Sequence, residues 1–364
     1  VRKRAADYGP VSAERRNRKS DSGLSRRGLL RAGAALAGGT AVGAAALGSP
    51  AEAKGKVLKA PKLKAGDTVR VVAPAYPGDS RLVRGQEILE GMGLVVEYGE
   101  HVYDTAGYLA GTDENRLADL NAAFRDPKVR AIIGARGGYG SQRIVDGLDI
   151  AAVRKDPKVF FGFSDLTVIH SRLWRAARLV SFYGPLATWT DTRTGPESVA
   201  SMKAALMSTD DIVITRDATE PSSAVRIAGS KGSVARGPLV GGNLTMIDMD
   251  TDTDSFPKLD GAIFLFEDTG EAPYSYDRML THLRRSGALE KIAGVAVGQF
   301  TGADVAPGAP TAAQVVTERL KDLGVPVLGG LRIGHGTGQL TVPIGANAVI
   351  DVEAGTLTVE AGVR

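Results

Sequence analysis

Between residues 68 and 183, short apolar runs alternate with segments of helical periodicity, and no other feature restricts the fold as much. Residues 68–73, 94–98, 129–134, 159–162 and 180–183 read as strands. Residues 81–92, 113–124 and 166–176 read as helices, with Thr112 as a cap for the second. Apolar strands separated by amphipathic helices build a parallel sheet covered on both faces. The expected class is therefore α/β. Sites in such folds lie beyond the carboxyl ends of the strands. The loops expected there are Ala73-Pro-Ala-Tyr-Pro, Arg136-Gly-Gly-Tyr-Gly, Ser164-Asp165 and Gly184-Pro185.

The pattern changes after a helix at 196–208. Residues 217–236 are irregular and rich in Ser, Gly and Arg, so an interdomain linker is expected there, closing a first domain at 67–216. Residues 237–364 carry strands at 262–266, 295–299, 348–352 and 356–360, with helices near 276–286 and 312–323. They read as a smaller mixed α/β domain.

The first 53 residues have another character. Ten Lys or Arg fall within residues 1–31, including Arg26-Arg27, and an Ala/Gly/Leu run follows up to Ala51-Glu-Ala. A basic region, a weakly apolar region and a small-x-small site make an export signal, and the paired arginines point to the twin-arginine machinery. The expectation is an exported protein with cleavage near Ala53, then a lysine-rich linker at 54–66. With ten basic and four acidic residues, the leader holds a charge of +6, so the chain's net +4 leaves about −2 beyond it. The pI of 9.2 thus belongs to the leader. With no basic stripe interleaved with aromatics in the remainder, a nucleic-acid partner is not expected. Cysteine is absent, which excludes disulfides, thiol nucleophiles and thiolate metal sites.

The chemistry is concentrated at Gly162-Phe-Ser-Asp. A serine at a sharp strand-to-helix junction is lifted clear of the sheet, and the Asp165 amide after it points where an oxyanion forms. A helix N-cap serine reads the same way. A nucleophilic serine needs a base. Of the four histidines, His170 lies on the same helix pointing away, His282 sits mid-helix beside arginines, and His101 is in a polar loop. His335, in Arg332-Ile-Gly-His-Gly-Thr-Gly, has glycines that allow a close approach, although a turn histidine fits too. Glu267 closes an apolar run, where a carboxylate needs a partner such as an imidazole. Asp268 is the neighbouring alternative.

The Arg136-Gly-Gly-Tyr-Gly loop lacks the Gly-Lys-Ser/Thr of a phosphate loop, and an oxyanion donor at the Gly138 amide fits it better. Arg136, Tyr139 and Asn243 are candidate substrate contacts, Asn243 in a Gly-rich tight turn that opens a helix. The aspartate run at 248–254 lacks the glycine and terminal glutamate of a calcium loop, so neither metal nor cofactor is expected.

Taken in order, Arg136-Gly-Gly-Tyr-Gly, Gly162-Phe-Ser-Asp, Gly184-Pro, Gly241-Gly-Asn-Leu, Phe266-Glu-Asp, Tyr276 with Arg278, and Gly334-His resemble the LD-carboxypeptidase family of serine peptidases. That family includes murein tetrapeptide carboxypeptidases and microcin C immunity peptidases. The resemblance spans residues 66–362. It implies a flavodoxin-like N-terminal domain, a smaller C-terminal domain, and commonly a homodimer. It also implies a triad of Ser164, Glu267 and His335, with the amides of Gly138 and Asp165 as oxyanion donors. The chain departs from the family at Ala73-Pro-Ala-Tyr-Pro, where a serine often follows the proline.

The expected reaction is cleavage of the L,D bond before the terminal D-alanine of murein tetrapeptides. Two alternatives stand beside it. One is an amidase acting on peptidyl or aminoacyl nucleotides, with Tyr76 or Trp189 stacking the base. The other is a non-catalytic wall-peptide binding protein.

Overall fold

The computed structural model describes residues 55–364 except 303, 304 and 306, so the expected export leader and the expected cleavage site lie outside the described residues. Five strands, β1 (Thr68–Val72), β2 (Val95–Tyr98), β3 (Val129–Gly134), β4 (Val159–Gly162) and β5 (Ser181–Tyr183), alternate with helices α1 (Leu82–Gly91), α2 (Asp113–Arg125), α3 (Ile150–Lys155) and α4 (Thr167–Arg172). They form a parallel sheet in the order β2-β1-β3-β4-β5. This is the doubly wound, flavodoxin-like order. In β3 and β4 the apolar residues Val129, Ile132, Ile133, Phe160 and Phe161 are all fully buried, as strands covered on both faces require. The cap of α2 forms as expected, with Thr112 Oγ1 accepting from the Asn115 N–H.

After α5 (Pro196–Met207), a second sheet assembles from β6 (Ile212–Thr215), β7 (Arg226–Ile227), β8 (Val234–Asn243), β9 (Ile263–Thr269), β10 (Gly294–Thr301) and β11 (Val327–Leu328). β12 (Val342–Ile344) does not join it. That strand crosses over to pair antiparallel with β5 at the edge of the first sheet. β13 (Asn347–Asp351) and β14 (Thr356–Val359) complete the second sheet, in the order β6-β14-β13-β8-β9-β10-β11-β7. Its centre, β8 to β11, is parallel and its flanks are antiparallel. Helices α6 (Leu244–Met249), α7 (Pro273–Arg285) and α8 (Ala312–Leu320) cover one side.

One apolar core joins the sheets: Phe160, Phe163 and Leu166 share a cluster with Leu239, Ile263, Leu265 and Ile333. The two sheets are therefore held against each other by close packing, whose geometry yields little.

Three local readings are corrected. Residues 54–66 are not a free linker: Ala60 and Leu63 are buried, Leu58 N–H donates to Arg178 O at 2.8 Å and Lys62 N–H to Arg364 O at 3.0 Å. Residues 217–236 contain β7, the start of β8 and the fully buried Val225. Their polar composition conceals backbone pairing, which depends on main-chain partners and not on side-chain type. Third, Gly237-Pro-Leu-Val-Gly-Gly-Asn is not a tight turn but the carboxyl-terminal part of β8. Gly241 has φ +135°, and a Cβ there would fall 1.9 Å from Leu265 O. The glycine serves strand-on-strand approach rather than reversal of the chain.

His170 faces away from Ser164 and is fully buried. Its Nδ1 lies 2.7 Å from Ser181 Oγ and its Nε2 donates to Gly162 O at 3.0 Å. Burial pushes its pKa down to about 4. The unfolded imidazole takes a proton near its ordinary value while the folded one does not. Stability from this group is therefore present above about pH 6.5 and lost as pH falls toward 4, by roughly 3 kcal/mol. Denaturant melts from pH 7 to pH 4 should show this loss, and a His170→Gln variant should show it reduced.

Candidate active site

Ser164 lies one residue, Phe163, beyond the end of β4 and has φ +65°. A non-glycine residue in that region is strained, and here the strain lifts the side chain off the sheet edge. Two contacts secure the turn. Thr167 Oγ1 donates to Ser164 O at 2.7 Å, and the same oxygen accepts from the Asn243 N–H at 3.0 Å, fastening the serine turn to the end of β8.

His335 arrives from the loop after β11. Its Nε2 lies 2.9 Å from Ser164 Oγ and its Nδ1 lies 2.6 Å from Glu267 Oε2. Glu267 Oε1 also accepts from the Tyr183 hydroxyl at 2.8 Å. A carboxylate accepting on both oxygens places the imidazole proton on Nδ1. Nε2 is then left as the acceptor for the serine hydroxyl. The loop reaches Glu267 because residue 334 is glycine: its φ is +128°, and a Cβ would sit 2.5 Å from Glu267 Oε2.

Glu267 does not close its strand, as the sequence suggests, since β9 runs on to Thr269. The alternation of strand side chains separates it from Asp268. Asp268 Oδ2 accepts from Thr245 N–H and hydroxyl, both at 2.8 Å, and Oδ1 accepts from Asn243 Nδ2 at 2.9 Å. Burial, with the nearby Glu267 charge adding to it, pushes the Asp268 pKa up to about 6. Asn243 was expected to contact substrate. It is instead 5% exposed, accepts from the Met246 N–H as the cap of α6, and holds the two carboxylates from behind.

Tyr183 escaped the sequence reading. Besides donating to Glu267, its oxygen accepts from the Ser164 N–H at 3.2 Å, so one hydroxyl touches both the serine turn and the acid. Burial first, then the Glu267 charge, hold the phenol well above its ordinary pKa, which keeps it a donor. The available signal was an aromatic at a strand's carboxyl end, just before Gly184-Pro185. A Tyr183→Phe variant is expected to lose about 10- to 100-fold in kcat/KM while remaining folded, as measured by steady-state hydrolysis and melting temperature.

Gln299 and Glu220 were also missed. Gln299 is fully buried, accepts from the Gly336 N–H at 2.9 Å, and donates to Thr337 O at 3.1 Å and Glu220 Oε1 at 2.8 Å. It grips the residues just after His335.

The Asp165 carboxylate is buried and accepts from the Ser141 N–H at 2.9 Å; burial raises its pKa. It thereby anchors the glycine loop that carries Gly138. The buried Arg116 reaches the carbonyls of Pro74 and Gly140 from the other side. Arg136 lies 3.3 Å from Asp79 and 5.5 Å from the Tyr76 ring centre. Tyr76, Tyr108 and Tyr139 stand with successive ring centres 5.9 Å apart, Tyr108 and Tyr139 largely exposed. Trp189, by contrast, is buried and donates to Thr194 O, so it is not available to stack a ligand. The aspartates at 248 and 250 are turned to internal partners, His282 and Thr253 with Ser255.

A hydroxyl, an imidazole and a carboxylate in line at the carboxyl edge of a doubly wound sheet define the chemistry of a hydrolase. The description "LD-carboxypeptidase N-terminal domain" matches residues 69–184, and "LD-carboxypeptidase C-terminal domain" matches residues 236–350. The chain belongs to the LD-carboxypeptidase family and is a carboxypeptidase hydrolase by that family and by its named relatives. It is 37% identical over 311 residues to the "probable murein peptide carboxypeptidase" of Bacillus subtilis (strain 168), covering 84% of this chain and 95% of that one. It is 31% identical over 267 residues to the "murein tetrapeptide carboxypeptidase" of Pseudomonas aeruginosa, covering 72% and 86%. Among solved structures, the muramoyltetrapeptide carboxypeptidase of Oxalobacter formigenes superposes with a TM-score of 0.70 at 28% identity, covering 80% of this chain and 98% of that one. The microcin C7 self-immunity protein MccF superposes with a TM-score of 0.74 at 22% identity over 83% and 98%, a likeness of fold.

Proposed function

We propose that this carboxypeptidase is a serine peptidase that releases the terminal D-alanine of murein tetrapeptides. The observation that carries this reading is the continuous relay from Ser164 Oγ through His335 to Glu267, at 2.9 and 2.6 Å. In the first half-reaction Ser164 Oγ attacks the carbonyl carbon while His335 Nε2 takes the hydroxyl proton. The negative oxygen is received by the amides of Gly138 and Asp165. His335 then passes its proton to the leaving amine, the C–N bond breaks and D-alanine departs. Water, deprotonated by the same imidazole, attacks the ester, and the proton returns to Ser164. Glu267 holds the imidazole's orientation and offsets its transient positive charge.

The substrate class follows from the names of relatives that share about a third of their residues with this chain. Arg26-Arg27 and the Ala51-Glu-Ala site support export, which would bring the enzyme to wall peptides. The test is incubation of the purified chain with murein tetrapeptide and chromatography of the products. Tripeptide and free D-alanine in equal amounts are expected, and an unchanged tetrapeptide would end the reading.

A second reading, hydrolysis of an aminoacyl or peptidyl nucleotide, is favoured by one feature, the cluster of half-buried Tyr76 with exposed Tyr108 and Tyr139 beside Gly138, which offers aromatic faces to a base. Cleavage of such a conjugate in preference to tetrapeptide would select it.

A further inference from the structure

Arg193 belongs to the segment between β5 and α5, remote in sequence from every residue of the relay. Its carbonyl accepts from the Gly338 N–H at 2.8 Å, which ties the segment to the loop bearing His335. Its guanidinium carbon lies 5.1 Å from the centre of the Phe163 ring, and that ring lies 4.6 Å from the His335 imidazole. Phe163 is the residue immediately before Ser164. The cation and the imidazole of the relay therefore share one aromatic neighbour.

Its neighbours are all engaged elsewhere. Arg81 and Arg136 share Asp79, Arg84 pairs with Asp191 and Arg332 with Glu197. Among the described residues no carboxylate pairs with Arg193, and its Nε is buried without a partner. Burial pushes the guanidinium pKa below its ordinary value; Glu267 attracts the charge and Arg81 repels it. Glu267 attracts it without forming an ion pair, its oxygens being directed to His335 and Tyr183. A half-buried guanidinium whose Nε is shut off from water without a partner is costly, and a carboxylate is the group whose geometry matches a guanidinium edge.

We propose that Arg193 binds the C-terminal carboxylate of the peptide and so sets the requirement for a free chain end. This rests on the reading of the site as a serine peptidase. Arg136, the cation that sequence suggested for such a role, already holds Asp79.

The test uses Ser164→Ala as a non-turning-over binder, titrated calorimetrically with murein tetrapeptide and with the same peptide as its C-terminal carboxamide. The free acid is expected to bind about 10- to 100-fold more tightly. Adding Arg193→Met should erase that preference by weakening the acid and leaving the carboxamide unchanged. Arg193→Gln, polar and still uncharged, carries the same comparison if the methionine variant misfolds. With Ser164 intact, Arg193→Met should raise KM for the acid far more than it lowers kcat.

A preference that survives both substitutions overturns the proposal. So does an equal loss of kcat on acid and carboxamide with a shifted pH profile, which would mean that the cation acts through Glu267. In either case D-alanine release by the unmodified enzyme would leave the peptidase reading standing. Absence of that release would remove both.

Discussion

Replacing Ser164 by alanine is expected to lower D-alanine release by about 10⁴- to 10⁶-fold, the loss met when the nucleophile of a serine relay is removed. The Oγ lies 2.9 Å from His335 Nε2, and no other hydroxyl is placed there among the described residues. The fold should be unaffected. Alanine keeps the Cβ, and the bonds that secure the turn run from Thr167 and Tyr183 to the Ser164 backbone and from the Asn243 N–H to Thr167 Oγ1, none of them using the serine hydroxyl. Relief of φ +65° is not expected either, because alanine is strained there as well. Release should be followed by product chromatography, and integrity by melting temperature. Turnover within tenfold of the unmodified enzyme would show that Ser164 is a turn residue and nothing more. Removing His335 as well should add little further loss, because a relay fails as a unit.

Glu267→Gln should leave KM nearly unchanged and lower kcat by about 10³- to 10⁴-fold. The amide fits the same space between Tyr183 and His335 but carries no charge. It cannot offset the imidazolium that forms as Ser164 gives up its proton. It also has a donor face that can favour the wrong tautomer, with the imidazole proton on Nε2 toward the serine. Glu267 is fully buried, so solvent does not make good the missing charge. Steady-state kinetics on tetrapeptide separate the two parameters. A rise in KM with kcat preserved would instead place Glu267 among groups that bind the ground state. Asp268→Asn is the internal contrast: this carboxylate faces Thr245 and Asn243, not the imidazole, and its loss should be much the smaller.

These residues differ in how visible they are along the chain. Ser164 could be singled out because its signal is local, an apolar strand that stops at a serine and passes at once into a helix. His170 could be set aside by helical periodicity alone, and Asp268 could be separated from Glu267 by the two-residue alternation of a strand. Tyr183, Gln299 and Glu220 carry no such mark. Tyr183 acts on a partner 84 residues away and Gln299 on one 79 residues away, and neither strand advertises that partner. The glycines before Asn243 suggest a turn in sequence; Gly241 instead lets β8 lie against β9, and Gly242 lets it pass close to Thr167 and Tyr183. Arg193 sits in a short polar connection indistinguishable in composition from any other loop.

Apolar spacing along residues 68–183 was enough to specify strands, helices and a parallel sheet, because burial of one face or two is a property of neighbouring residues. The residue types needed for a proton relay were also readable one by one. Their meeting was not. Ser164 and His335 are 171 residues apart and approach to 2.9 Å only because two sheets share one apolar core and Gly334 lets a loop pass over Glu267. Proton transfer demands placement to within fractions of an ångström, and that precision comes from close packing between segments distant in the chain.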